Sequence, residues 1–267
     1  MAMIKGVLFD WGGVLHDDNG PIAGAASCLQ QLSSQNIPWR IISNTTSKPP
    51  QYLLDKLDDM GVQADATQIL TPITASQFWL RQQARRNPVE PIALFVADSA
   101  RSSFQALSLL APQAEKGART VIIGDLAEGW NYQQINRALR LLTQQPTPHF
   151  IALGATRYWQ AADGLRIDVG PIAAALEYAS GIKPITLGKP SPAFFALALA
   201  QLGVSKEHVL IVGDDIESDI HGAQQCGLQT ALVRTGKFQA TDLQKPPAPD
   251  VVLDSVADLS DWLDAAH

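Results

Sequence analysis

Short apolar runs and stretches of helical period take turns along this chain. Residues 4–9, 37–42, 208–212, 230–233 and 251–253 are compact runs rich in branched apolar side chains. Runs of that kind predict strands buried on both faces. Helical segments fall between them. Ala25, Cys28, Leu29 and Leu32 share one face over 24–34, and Leu53, Leu54 and Leu57 share another after Pro49-Pro50, with Gly61 past the end. Residues 192–202 open on a proline and stop at Gly203, and 216–226 run up to Gly227. Strands alternating with helices of this length build parallel βαβ units. The middle repeats the pattern, with strands over 92–96, 120–123 and 150–153 and helices over 133–142 and 172–179. Proline-rich stretches at 87–91 and 183–184 lie near its edges, and 245–249 reads as a loop before the last strand. The pattern predicts an α/β chain: a Rossmann-like parallel-sheet core over 1–76 and 182–267, interrupted by an α/β insert over 77–181.

Composition narrows the classes. Of 267 residues 46% are apolar and 17% charged, so there is material for a substantial core. The net charge is −6 and no long basic block occurs, which argues against nucleic acid or an anionic membrane as partner. No run approaches the ~20 apolar residues of a membrane span. The first apolar run is too short for a signal peptide, and Asp10 interrupts it, so the expected compartment is the cytoplasm. Cys28 and Cys226 are far apart and neither sits in a C-x-x-C pair. They read as two buried thiols, with a disulfide between them as the alternative.

Four short patterns end strands, where an open parallel sheet binds its ligands. Asp10, followed by Trp11-Gly12-Gly13, places a carboxylate beside free space, or else caps a turn. Ser43-Asn44-Thr45-Thr46 offers hydroxyl and amide groups to phosphate oxygens, or else forms an N-cap for the next helix. Lys189 precedes a helix opened by Pro192 and could neutralise phosphate and carboxylate charge, or else is a solvated lysine. Gly213-Asp214-Asp215 closes a strand, with Asp219 close behind. Such a concentration of acids is unfavourable unless a cation or a basic group offsets it, and oxygen-only ligands suit Mg²⁺. Acids at a helix N-terminus are the competing account for Asp215 and Glu217.

Taken in this order, the four patterns resemble the haloacid-dehalogenase-like hydrolase superfamily over nearly the whole chain. The insert lies between the second and third patterns. That position is similar to the branch with an α/β cap there, the NagD-like or nitrophenylphosphatase-like class. The stretches Arg157-Tyr158-Trp159, Asp163-Gly164-Leu165 and Gly170-Pro171 resemble the same class. Within it, the chain most resembles the subgroup that contains phospholysine phosphohistidine inorganic pyrophosphate phosphatase.

The resemblance implies a Mg²⁺-dependent phosphatase in which Asp10 forms an aspartyl-phosphate on a small phosphorylated metabolite. It implies Asp10, the Gly12 carbonyl and Asp214 as metal ligands, supported by Asp215 and Asp219. Ser43 and Asn44 would orient the phosphate, and Lys189 would hold Asp10 and the phosphoryl group in register. It further implies cap contacts from Arg157 and Tyr158, which compete with a place for Tyr158 and Trp159 in the cap core, and pairing of two copies through the cap. One position departs from the superfamily. An Asp that transfers protons usually stands two residues after the nucleophile, and here that residue is Gly12. The expectation is a bias towards good leaving groups. The alternative is an impaired protein that binds metal and phosphate without turnover. His16 is either a substitute acid or a solvated loop residue.

Overall fold

The computed structural model describes residues 2–46, 48–161 and 164–266. They fall into two compact units: Met1–Ser43, Pro50–Leu70 and Lys189–His267 make the first, Asn44–Pro49 and Thr71–Gly188 the second.

The first unit holds a six-stranded, wholly parallel sheet. In chain order its strands are β1 (Gly6–Phe9), β4 (Trp39–Ile42), β5 (Ile69–Leu70), β12 (Val209–Gly213), β13 (Gln229–Val233) and β14 (Val251–Leu253). Between β1 and β4 lies a small antiparallel hairpin, β2 (His16–Asp17) with β3 (Gly20–Pro21). Across the sheet the order is β14-β13-β12-β1-β4-β5. From β1 the chain builds outward to one side, then returns beside β1 and builds outward to the other. The carboxyl ends of β1 and β12 therefore meet where the order reverses, the crevice in which α/β sheets bind ligands. Every residue of β1 and of β12 is buried, as continuous apolar runs in a parallel sheet require.

The helices follow the apolar periodicity. α1 (Ala25–Ser34) buries Ala25, Cys28, Leu29 and Leu32. α2 (Pro50–Asp59) buries Leu53 and Leu57, with Leu54 half-buried against the same core. The predicted helix over 216–226 has a different opening. Residues Ile216–His221 form a wide turn in which the Ile220 amide reaches back to the Asp215 carbonyl, and only Gly222–Gln225 are α-helical. The strand before it runs Val209–Gly213 instead of 208–212.

The second unit has a four-stranded parallel sheet of β6 (Ile92–Phe95), β7 (Thr120–Ile123), β8 (His149–Ala152) and β11 (Ile185–Thr186), in the order β11-β8-β7-β6. A separate antiparallel ribbon pairs β9 (Tyr158–Ala161) with β10 (Gly164–Ile167). The helix expected over 172–179 starts earlier, at Val169, because the Asp168 carboxylate accepts the Val169 amide and caps it, and Gly181 ends it in the left-handed conformation. Arg137 is buried here, donating to the carbonyls of Ala111 and Ala114 and lying 4.7 Å from the Phe95 ring centre. Tyr158 is 56% exposed, which takes it out of the cap core; the Trp159 side chain, part of the same reading, lies outside what the structure describes. Asp163 lies outside the described residues.

Cys28 and Cys226 are both free, which removes the disulfide alternative. Cys28 is buried, and burial pushes its thiol up to about 11. Cys226 is only half-buried, correcting the expectation that both were interior. No helix among the described residues is long and apolar enough to cross a membrane.

Candidate active site

Asp10 follows β1 directly and Asp214 follows β12, so adjacent strands deliver two carboxylates to one edge of the sheet. Both are buried, with Asp10 7% and Asp214 1% exposed. Asp219 joins them because of the wide turn. Its side chain packs under the strand end, where a methyl group on Gly213 would lie only 2.3 Å from Asp219 Cβ. Its Oδ2 accepts the Asp215 amide at 3.2 Å. Irregular turns of this type often mark functional sites, because they re-aim a side chain that a regular helix would carry elsewhere. Carboxylate oxygens of Asp10, Asp214 and Asp219 lie within 4.8 Å of one another.

Lys189 is drawn in among them. Its ammonium lies 2.7 Å from Asp10 Oδ1 and 2.6 Å from Asp219 Oδ1, and the side chain is 2% exposed. The solvated-lysine account of this residue is therefore excluded. Burial alone would lower its pKa, but the charges of Asp10 and Asp219 outweigh burial and push it up. Asp10 Oδ1 also accepts the Trp11 amide at 2.7 Å.

Asp214 is held on one side only. Its Oδ2 accepts the Lys237 amide at 2.7 Å, while its buried Oδ1 has no partner among the described residues. Burial, then the charges of Asp10 and Asp219, raise its pKa to about 8. Burial likewise raises Asp219 to about 6, against the pull of Lys189. Asp215 plays a different part. Its Oδ1 accepts the Glu217 and Ser218 amides at 3.0 and 3.1 Å, so the capping account holds for it, and its Oδ2 lies 3.2 Å from the Lys237 ammonium. Lys237 holds the Asp215 carboxyl below the usual range although burial opposes this. Around this one edge four carboxylates face two ammonium groups, so with every acid ionised two negative charges are left unmatched; burial and this imbalance are why Asp214 and Asp219 hold their protons to higher pH. An orphaned, buried carboxylate oxygen beside two further acids fits a hard divalent cation, which takes oxygen ligands.

The loop carrying Lys237 was not foreseen. Thr235, Gly236 and Lys237 follow β13 after Arg234, and the signal in the sequence is a Thr-Gly turn just past a buried strand. Gly236 has φ +62° and Gly13 φ +77°. A Cβ on either would lie 2.6 Å from the other's Cα and 2.2 Å or less from Asp214 Oδ2, so only glycine fits at both positions.

The remaining predicted residues are placed as follows. A Cβ at Gly12 would meet nothing within 4 Å. His16 is half-buried, its ring stacked on Trp11 with centroids 5.3 Å apart, which replaces the solvated-loop description. Ser43 directly follows β4, is buried, and donates its amide to the Leu70 carbonyl at 3.0 Å. Asn44 belongs to the second unit, where with Thr45, Asp125, Leu153 and Asp168 it lines a cavity of about 230 Å³. Arg157 and Tyr158 are exposed on the second unit.

Comparison with known proteins agrees with this geometry. The family profile described as haloacid dehalogenase-like hydrolase matches residues 7–125, and a second, HAD-hydrolase-like profile matches residues 186–259. Human phospholysine phosphohistidine inorganic pyrophosphate phosphatase is 35% identical over 268 residues, covering 98% of this chain and 95% of that protein. The structure of p-nitrophenyl phosphatase from Archaeoglobus fulgidus superposes with a TM-score of 0.85 at 25% identity, covering 98% of this chain and 99% of the other. NagD from E. coli K-12 gives 0.79 at 26% identity, covering 96% and 98%. Two profiles that start at β1 and end beyond β14, with a relative this similar over its whole length, leave one family for these strand-end carboxylates: the chain belongs to the haloacid dehalogenase-like hydrolases.

Proposed function

We propose that this protein is a Mg²⁺-dependent phosphatase for a small phosphorylated metabolite, with Asp10 as the covalent nucleophile. The observation that carries the reading is the meeting of Asp10, Asp214 and Asp219 with Lys189 at the switch point of the sheet. Asp10 Oδ1 is taken up by the Trp11 amide and Lys189, so attack falls to Oδ2. That oxygen forms a bond to phosphorus while the bond from phosphorus to the leaving atom breaks and its electron pair departs with that atom. Water then attacks phosphorus, the bond to Asp10 breaks, inorganic phosphate leaves and the carboxylate is restored. Asp10, Asp214 and the Gly12 carbonyl would hold the cation, with Asp219 and Asp215 in support. When bound, Mg²⁺ would supply the positive charge that lets a carboxylate approach a phosphoryl dianion. Lys189 fixes the nucleophile, and Ser43 and Asn44 are read as orienting the phosphate. For phosphoryl transfer, positioning and charge neutralisation supply most of the acceleration.

Gly12 sets the limit on this chemistry. It has no side chain to protonate the leaving atom, so acyl phosphates, phosphoramidates and aryl phosphates, which need little protonation, suit the site better than alkyl phosphates. The relative's name supports the same substrate range: it is called a phosphatase of phospholysine, phosphohistidine and pyrophosphate. The test is repeated turnover of acetyl phosphate with Mg²⁺. Metal and phosphate binding without turnover would instead favour the impaired binding protein. We read residues 77–181, which lie within the second unit, as the cap, with Arg157 and Tyr158 as substrate contacts. Pairing through it draws support from the exposed apolar side chains of Tyr158, Leu165, Ile167 and Tyr178; a solution mass of one chain would rule pairing out. The free thiols suit the cytoplasm.

Metal and proton compete for this cluster, and the sign of the pH effect follows. With Asp214 raised to about 8 and Asp219 to about 6, the metal-free folded state binds more protons than the unfolded chain between about pH 4 and about pH 8. Stability from these two groups is present below that range and is lost as pH rises through the folded values. Mg²⁺ offsets the unmasked charge and needs no proton displaced at high pH. The expected result is a larger Mg²⁺-induced rise in Tm at pH 8 than at pH 6, read by thermal unfolding. An equal or smaller rise at pH 8 would contradict it.

A further inference from the structure

The two lysines of the site are in opposite situations. Lys189 is sealed, and its contacts with Asp10 and Asp219 bind it to the carboxylates. Lys237 has a side chain that is 69% exposed, and its ion pair is with Asp215 Oδ2 at 3.2 Å. An ammonium carries three donors, and one such contact leaves others facing outward.

Lys237 is nonetheless not a wandering surface lysine. Its own amide donates to Asp214 Oδ2, Gly236 abuts Gly13, and the Thr235 hydroxyl donates to the Gly13 carbonyl. Three consecutive residues thus tie this loop to the turn after Asp10 and to the acid after β12. The backbone of Lys237 is thereby fixed beside the acids, and its ammonium reaches Asp215 Oδ2 at 3.2 Å. A dianionic phosphoryl group arriving there meets a field dominated by acids. A cation that is open to solvent and anchored through its backbone next to this cluster lowers that repulsion, and charge-assisted bonds to phosphate oxygens are among the stronger hydrogen bonds.

We propose that Lys237 is the substrate-facing cation of this site, an anion-recognition residue that takes the phosphoryl dianion while Lys189 serves the carboxylates. The inference rests on the phosphatase reading above. It concerns only the phosphoryl group, so it applies equally to every leaving group.

The test compares the full-length wild type with Lys237→Met and Lys237→Arg in two calorimetric titrations: Mg²⁺ alone, and inorganic phosphate into the Mg²⁺-loaded protein. For the Met variant, phosphate should bind about 10-fold or more weakly, the loss expected for a hydrogen bond to a charged group. Its Mg²⁺ affinity should stay the same or rise, because a positive charge next to the acids has gone. The Arg variant should recover most of the phosphate binding. Unchanged phosphate binding in Lys237→Met would overturn the proposal. So would a parallel loss of Mg²⁺ and phosphate binding, the mark of a merely structural residue. If the wild type itself neither binds phosphate nor releases it from acetyl phosphate, the phosphatase reading fails and takes this inference with it. A wild type that turns over, with Lys237→Met matching it throughout, defeats this inference alone.

Discussion

Asp10→Asn should abolish turnover of acetyl phosphate, with a loss of about 10⁴-fold or more, as expected when a covalent nucleophile is removed. The asparagine carbonyl can still accept the Trp11 amide and the Lys189 ammonium, the two donors now on Oδ1, so the local structure has no reason to collapse. What disappears is the second anionic oxygen that attacks phosphorus. The fold should survive, because Asp10 lies at the end of β1 and contributes no apolar packing to the sheet. Phosphate release and thermal unfolding measured on the same preparation check both halves. A variant that kept activity within tenfold of the wild type would mean that another group attacks phosphorus, and the assignment of Asp10 would fall.

Gly12→Asp should act in the opposite direction. A Cβ at this position meets nothing within 4 Å, so the substitution starts into open space. General acid–base help is worth about 10²–10⁴-fold, and the gain should appear where the leaving atom needs a proton. Hydrolysis of glycerol phosphate should rise by that order. Hydrolysis of acetyl phosphate, whose carboxylate departs without one, should change little. The wild type should accordingly prefer acetyl phosphate by a wide margin, and the variant should narrow the gap. Equal rates on the two substrates in the wild type, or an equal gain on both in the variant, would show that leaving-group protonation is not what Gly12 limits.

Three parts of the site can be read in the sequence because each lies at the end of a strand. Asp10, Ser43 and Asp214 each stand at or just past the last residue of a buried apolar run, and such runs are visible without coordinates. Asp215 and Asp219 were less legible. Both follow Asp214 closely, yet Asp215 caps the turn and faces Lys237, whereas Asp219 joins Asp10 and Asp214. A regular helix would not have shown which acid turns inward. That depends on the wide turn and on Gly213, whose missing side chain leaves room for Asp219. Lys237 was not legible at all, because an exposed lysine in a loop looks like any other until its amide is seen to hold Asp214.

The α/β class, the alternation of strands and helices, and the strand-end positions of the acids are all written in the linear order of residues, because they follow from local periodicity and burial. Which strands are neighbours, and therefore which charges share a space, emerges with the folded chain. Thr235 and Gly13 lie 222 positions apart, and Lys189 reaches both Asp10 and Asp219 from a third segment of the chain. Electrostatic interaction depends on distance through space and on burial, and neither quantity is carried by spacing along the chain.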